Sequence, residues 1–355
     1  MKFHLRIPAT SANLGPGFDT LGLALSLFLT IDGTFSVGEE ESCTFEFEGD
    51  GKDELTTDPE ENLITQTALY VLRSLGKPGF GGNLKLKINN QIPLGRGLGS
   101  SGAAVVGGVL LGDIIGGFKL PQSRLLDFII AVERHPDNVV PCLVGGFVAS
   151  YVRNTSLEIN LKSQDSSQID YVPSSEKPTD SDTSARNPPL PPQDAVRFVQ
   201  LPIHKSIRAV AVIPAYHLAT SKARGVLPST YEKSDVIFNL QRLAVLTQAL
   251  GEDPPSSDRI FGAMTDKLHQ PYRKHLIPGL PHALETLSPL SHPGLLGICL
   301  SGAGPTVLAL ATSNFQSIGN SIKSMLDLHG NTDCQVMTLD IFTSGSQISI
   351  EQHSS

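Results

Sequence analysis

The stretch PLGRGLGSSGAAVVGGVLL, residues 93–111, constrains this 355-residue chain more than any other. Three glycines at alternate positions, Gly95, Gly97 and Gly99, would each give up entropy in a packed strand and bury no side chain there. They suit a loop whose backbone must come close to something. Ser100 and Ser101 follow as good helix N-caps, and the small and aliphatic residues after them read as a tightly packed, buried helix. A glycine-rich loop feeding a helix N-terminus offers N–H groups and partial positive charge to an anion, most often a phosphate. The strand LKLKI before the loop and Pro93 closing that strand fit the same reading. A Walker A loop is excluded because the lysine of GxxxxGK[ST] is missing. A dinucleotide fingerprint is excluded because no acidic residue ends a following strand about 20 residues on.

The chain is long enough for about two domains, and 40% hydrophobic with 17% charged residues marks it as globular. Its net charge of -8 argues against a nucleic-acid partner, which would favour a basic face. An acidic protein that binds a nucleotide must confine its positive potential to one cleft. Cys43, Cys142, Cys299 and Cys334 are widely spaced, form no CxxC pair and read as buried thiols of a reducing compartment. The opening MKFHLRIPAT shows no signal-peptide hydrophobic region, and the most apolar run, 103–118, is interrupted by Asp113 and falls short of the roughly 20 residues a membrane span needs. The expectation is a soluble, cytoplasmic protein with no membrane partner.

Along the chain, SANLGPGFD sets Asn13 and Asp19 on either side of a rigid Gly-Pro-Gly turn, as an ordinary hairpin loop or as a binding loop. Residues 28–47 predict an antiparallel sheet, and 39–61 a solvated acidic loop region. ENLITQTALYVLRSL predicts a helix with Asn62 at its start, either as a cap or as a contact to a nucleotide base. SRLLDFIIAVERHPDN reads as a helix ending near His135, because Pro136 pushes that residue out of helical geometry, with a loop at 135–138. This helix carries Asp127 and Glu133. Asp127 sits amid Leu125, Leu126, Phe128 and Ile129, too apolar a setting for a purely solvated face, and a magnesium ligand is the sharper explanation. The Ser/Pro/Asp-rich segment 162–195 cannot bury enough surface to offset its ordering entropy. It is expected as an exposed insertion between a first domain, 1–161, and a second, 196–355. In the second, Thr220 and Arg224 follow a strand, Arg273 opens a basic cluster, and GLLGICLSGAGPTVLALAT forms a strand, a glycine turn and a strand. The glycines of that turn would let its backbone approach the first glycine loop.

Taken together these motifs resemble the GHMP kinase superfamily. PLGRGLGSSGAA is similar to its phosphate loop, with Gly102 in place of the usual alanine; IPATSANLGPGFD resembles its first motif and CLSGAGPTVLAL its third. Within the superfamily PATSANLGPGFD, ERHPDN, TSKARGVLP and PYRKHLIPG are similar to the branch that phosphorylates homoserine. The resemblance implies an α+β fold of two domains, the first of the ribosomal protein S5 domain 2-like type and the second ferredoxin-like. It implies a homodimer, the cofactors ATP and Mg²⁺, and L-homoserine as the small-molecule substrate, on the path to threonine. Carried over by position, it implies ATP binding by Asn62, Pro93, Gly95, Arg96, Gly97, Leu98, Gly99, Ser100 and Ser101, and Mg²⁺ binding by Ser101 and Asp127. Asp127 stands where the family commonly has glutamate, and its shorter reach leaves both a direct and a water-mediated contact to the metal open. Arg224 and Arg273 would take the substrate carboxylate and Asp19 its ammonium, with Asn13, His135, Asn138 and Thr220 lining the pocket. Asn138 stands where many of these kinases place an aspartate base, which implies direct attack of the hydroxyl on the γ-phosphate. The alternatives are a superfamily kinase for another alcohol, such as mevalonate, and a catalytically silent nucleotide-binding relative.

Overall fold

The computed structural model describes residues 1–153 and 187–351. Strand β1 (Lys2–Ala12) pairs antiparallel with the long β2 (Leu21–Val37), and the ladder shifts register between Pro8 and Ala9. Proline has no N–H to give the ladder, so the strand bulges there and then continues. Next come β3 (Ser42–Gly49), helix α1 (Leu63–Ser74) and β4 (Gly82–Asn90). β4 runs antiparallel to β2, but β3 pairs with β4 in parallel. The antiparallel expectation for β3 is thereby corrected: α1 serves as the crossover a parallel pair requires.

Helix α2 (Ser100–Gly116) follows the glycine loop, then α3 (Gln122–Glu133), α4 (Pro136–Val144) and β5 (Phe147–Val152). The expected loop at 135–138 is in fact the start of α4, with Pro136 in its first turn, where the fixed φ of proline suits a helix and its missing N–H costs nothing. β6 (Val196–Leu201) pairs with β5, and the last strand, β11 (Gln347–Glu351), returns to β1. Among the described residues the first sheet thus has seven strands, two of them drawn from the span expected to form the second domain. β7 (Arg208–Ile213), β8 (Leu295–Leu300), β9 (Val307–Ala311) and β10 (Gln335–Asp340) form the second sheet, in the order β10-β7-β9-β8 with antiparallel neighbours. Ile318, Ile322 and Leu326 of helix Phe315–Asp327 pack against it.

Of the expected insertion, 162–186 lie outside the described residues. The remainder, 187–195, is partly anchored: Arg124 donates to the carbonyls of Pro191 and Pro192, and Ala195 is fully buried. No helix among the described residues is long and apolar enough to cross a membrane.

Helix α2 is buried almost throughout, as its composition predicts. It packs so closely on α1 that a Cβ at Gly108 would overlap the Ile64 carbonyl oxygen. Gly108→Ala should therefore cost about 1–2 kcal/mol net, even after regaining about 1 kcal/mol of helix propensity. Thermal unfolding checks this, and an unchanged melting temperature would mean that the two helices separate freely.

Candidate active site

Gly95, Gly97 and Gly99 all take positive φ, at 61°, 80° and 72°. A Cβ on Gly97 would overlap the Ser301 carbonyl oxygen, and one on Gly99 the Thr10 hydroxyl. The loop is therefore pressed between the end of β1 and the turn 301–305 after β8. Ser301 Oγ donates to the Gly97 carbonyl at 2.6 Å and lies 2.8 Å from Ser11 Oγ. The Gly302 amide donates to Ala12 O and the Thr306 amide to Arg96 O. Gly99, in the left-handed conformation, is the N-cap of α2, with no side-chain cap. The paired serines expected as caps are instead the first two residues of the helix, and the positive end of α2 opens onto a cleft lined by the glycine loop, Ser100, Ser101 and Gly102.

The cleft holds about 150 Å³. Besides the glycine loop it is lined by Asn13, Asp19, His135, Asn138, Thr220, Arg224 and Arg273, so the structure brings the seven expected substrate residues into one place. Arg224 makes a two-pronged ion pair with Asp19, Nη1 to Oδ2 at 3.2 Å and Nη2 to Oδ1 at 2.7 Å. Burial raises the Asp19 pKa, but the charge and hydrogen bonds of Arg224 outweigh it and hold the carboxyl below its ordinary value. Asp19 has a φ of 52°, and its amide donates to Asn13 Oδ1, while Asn13 Nδ2 donates to the Gly302 carbonyl. Asn13 thus clamps the first-motif loop to the 301–305 turn. Thr10 Oγ donates to Asn138 Oδ1.

Arg273 is 2% exposed, and its hydrogen bonds run from Nε to Ala223 O and from Nη1 to Gly302 O and His269 Nδ1. His269, fully buried and stacked on Phe18, donates from Nε2 to Gly15 O. Burial first and the Arg273 charge second push its pKa down, against the pull of Asp266, so it stays neutral and can accept from Arg273. Desolvation, then the neighbouring Arg224, lowers Arg273 to about 10.

Two carboxylates of the cleft were missed in the sequence. Glu133, at the end of α3, accepts from Ser101 Oγ at 3.3 Å, and His135 Nδ1 lies 3.8 Å from its other oxygen. The His135 pKa is raised: burial opposes this, but the pull of the Glu133 carboxylate prevails. The second is Asp137, 2% exposed, whose Oδ1 has no hydrogen-bond partner. Burial first, then the negative charge of Asp19, pushes it up to about 7.

Four expected residues stand apart from this lining. Asp127 is corrected as a metal ligand: its carboxylate is 2% exposed, pairs with Arg124 at 3.0 Å and accepts from the amides of Asp194 and Ala195. It fastens the strand β6 approach onto α3, while Glu133, six residues on and so on another face of the helix, looks into the cleft. Asn62 caps α1, accepting from the Ile64 amide and donating to Thr56 O. Pro93 and Leu98 are buried beneath the glycine loop, where the Leu98 carbonyl accepts from the Thr10 amide. Ser101 and Glu133 supply hard oxygen donors side by side, a set that fits Mg²⁺.

A carboxyl raised in the folded state stabilises the fold below its unfolded pKa and loses that contribution as pH rises through the folded value. For Asp137 the window runs from its ordinary 3.8 to about 7. Asp137→Asn removes the loss, so its stability relative to the unsubstituted protein should climb across that window by at least ~1 kcal/mol. Urea titrations at a series of pH values measure the difference, and a flat difference would show that Asp137 keeps its ordinary pKa in the fold.

Residues 62–146 match the GHMP kinases N terminal domain. The homoserine kinase of Schizosaccharomyces pombe is 45% identical over 347 residues, covering 98% of each chain. That of Saccharomyces cerevisiae is 46% identical over 330 residues, covering 90% of this chain and 91% of its own. The crystal structure of homoserine kinase from Cytophaga hutchinsonii superposes with a TM-score of 0.75 at 25% identity, over 98% of this chain and 97% of its own. The glycine loop, the clamp of the three motifs and near full-length identity to these enzymes agree, and the chain belongs to the homoserine kinase family of the GHMP kinase superfamily.

Proposed function

We propose that this chain transfers the γ-phosphoryl group of ATP to the hydroxyl of L-homoserine, in threonine biosynthesis, by direct attack and without a carboxylate base. The observation that carries the reading is one cleft in which a phosphate loop at a helix N-terminus faces a cluster holding one anionic and two cationic receptors, Asp19, Arg224 and Arg273. Homoserine is a zwitterion with a single hydroxyl. Asp19 receives its ammonium, and the two guanidiniums its carboxylate.

The amides at the start of α2 and of residues 97–99 cradle the phosphates, in the manner of helix N-termini that bind anions. Ser101 and Glu133 would hold Mg²⁺, which takes few protein ligands, fills its shell from phosphate and water and neutralises phosphate charge when bound. Asn138, its oxygen engaged by Thr10, presents its N–H to the acceptor hydroxyl and fixes that oxygen's direction. An amide cannot take the proton. The hydroxyl oxygen attacks phosphorus as the bond to the β-phosphate oxygen breaks, with the proton lost late. Catalysis then rests on alignment and on charge stabilisation. The same reading places the protein in the cytoplasm and, by family resemblance, in a homodimer, which light scattering tests.

ADP release with Mg-ATP, comparing L-homoserine with mevalonate, L-serine, L-threonine and galactose, tests the substrate; mevalonate turnover above that of homoserine would overturn it. Glu133→Gln should lower kcat/KM about 100-fold or more and shift the Mg²⁺ requirement upward, while Asp127→Asn leaves that requirement unchanged. Asn138→Ala should lose about 10–100-fold; a loss on the order of 10⁴ would point to an obligatory proton acceptor.

A further inference from the structure

We propose that the Asp19–Arg224 ion pair stands in for the substrate's own charges, so that the cleft admits alcohols carrying both an ammonium and a carboxylate and rejects those carrying one of them. The proposal rests on the homoserine reading above and extends it to how the site discriminates.

The pair is built into the cleft. The left-handed backbone of Asp19 and the Asn13 hydrogen bond to its amide fix where the carboxylate points. Both Nη groups of Arg224 are engaged by that carboxylate, its Nε is buried without a partner, and its guanidinium lies 5.7 Å from the Phe18 ring. Arg273 lies 5.2 Å from the same ring and hydrogen-bonds Ala223, His269 and Gly302. Besides this pair the charged or titratable groups facing the cleft are Arg96, Glu133, His135, Asp137 and Arg273.

A ligand group that takes Asp19 or Arg224 as its own partner opens the pair. A ligand with only a carboxylate takes Arg224 and leaves Asp19 unpaired beside a new negative charge, close to Asp137. A ligand with only an ammonium takes Asp19 and leaves Arg224 facing Arg273. A zwitterion supplies a partner to each, so one ion pair opens and two form with no charge stranded. Asp19 thus acts as an internal competitor for Arg224 as well as an ammonium receptor. That gives an unusual expectation: removing its charge should improve turnover of the substrate that lacks an ammonium.

The test compares the unsubstituted protein with Asp19→Asn on L-homoserine, 4-hydroxybutyrate (homoserine without its amino group) and 3-amino-1-propanol (homoserine without its carboxylate), with Mg-ATP. For Asp19→Asn, kcat/KM for homoserine should fall about 100-fold while that for 4-hydroxybutyrate rises about tenfold. Arg224→Gln is the mirror variant: it frees Asp19, and 3-amino-1-propanol should gain about tenfold. It also carries the test should Asp19→Asn fail to fold, which ATP binding and thermal melting reveal. If the unsubstituted protein turns over homoserine but each truncated alcohol stays unchanged or falls in both variants, the stand-in is overturned and the homoserine reading survives. If the unsubstituted protein does not turn over homoserine, the functional reading falls and this proposal with it.

Discussion

The rest of the site depends on one close approach, that of the Gly97 backbone to the Ser301 carbonyl. A side chain at Gly97 would occupy the same space as that oxygen, so the loop and the 301–305 turn meet only because a glycine stands there with φ at 80°. Ser301 then bonds the loop and touches Ser11, while Asn13 reaches from the first motif to Gly302. Segments about 90 and 200 residues apart are thus joined by a few buried hydrogen bonds. The N-terminal end of α2 comes from one of them and Asp19 from another, while Arg273, from residues 270–273, bonds the Gly302 carbonyl of the third. Without that contact, the N-terminus of α2 and the Asp19, Arg224 and Arg273 cluster would sit on separate surfaces.

What could be read from the sequence followed from how local each signal is. The glycine loop, helices α1 and α2 and the strand–turn–strand at 294–312 carry their causes in adjacent residues, and the structure has them. The residues later found together in the cleft lay in contiguous motifs, which is why Asn13, Asp19, Asn138, Arg224 and Arg273 could be named in advance. The parallel pairing of β3 with β4 and the return of β11 to β1 involve partners far along the chain, and no local pattern encodes them. The Asp127 expectation failed for a related reason. A buried carboxylate in an apolar run needs a partner, and a metal was one candidate. The actual partners, Arg124 and the amides of Asp194 and Ala195, include a segment more than 60 residues away. Glu133 could have been found from helical phase, since it ends the helix beside the motif that holds His135 and Asn138.

An acidic chain with a net charge of -8 must gather positive potential where phosphate and carboxylate are to bind. Here it does so by desolvation as well as by number. Arg273 is buried deeply enough to lower its pKa to about 10, and Asp137 is raised to about 7 with one oxygen unpartnered. Both conditions weaken the fold, because each leaves a polar group with less than water would give it. Positive φ at Asn13, Leu14 and Asp19 adds backbone strain in the same loop. The compensation lies in the apolar core, which runs without a break from β1 and α2 through Leu246, Cys299 and Leu308 of the second half. Strain collects at the cleft because the surrounding packing leaves the loop no relaxed alternative.

If the hydroxyl attacks directly, as proposed, this distribution also bears on why a base would be dispensable. Phosphoryl transfer needs little covalent help from the protein, and most of the barrier is alignment and charge. A carboxylate base beside the acceptor hydroxyl would add a fourth carboxyl group to a pocket that already holds Asp19, Glu133 and Asp137 and must admit the γ-phosphate. Repulsion of that kind would raise its pKa, leaving much of it protonated at neutral pH and a poor acceptor. In the proposed reaction an amide at position 138 avoids the conflict, since it would orient the hydroxyl without adding charge. On that proposal, the asparagine at 138 follows from the electrostatics of a zwitterion site placed directly against a phosphate site.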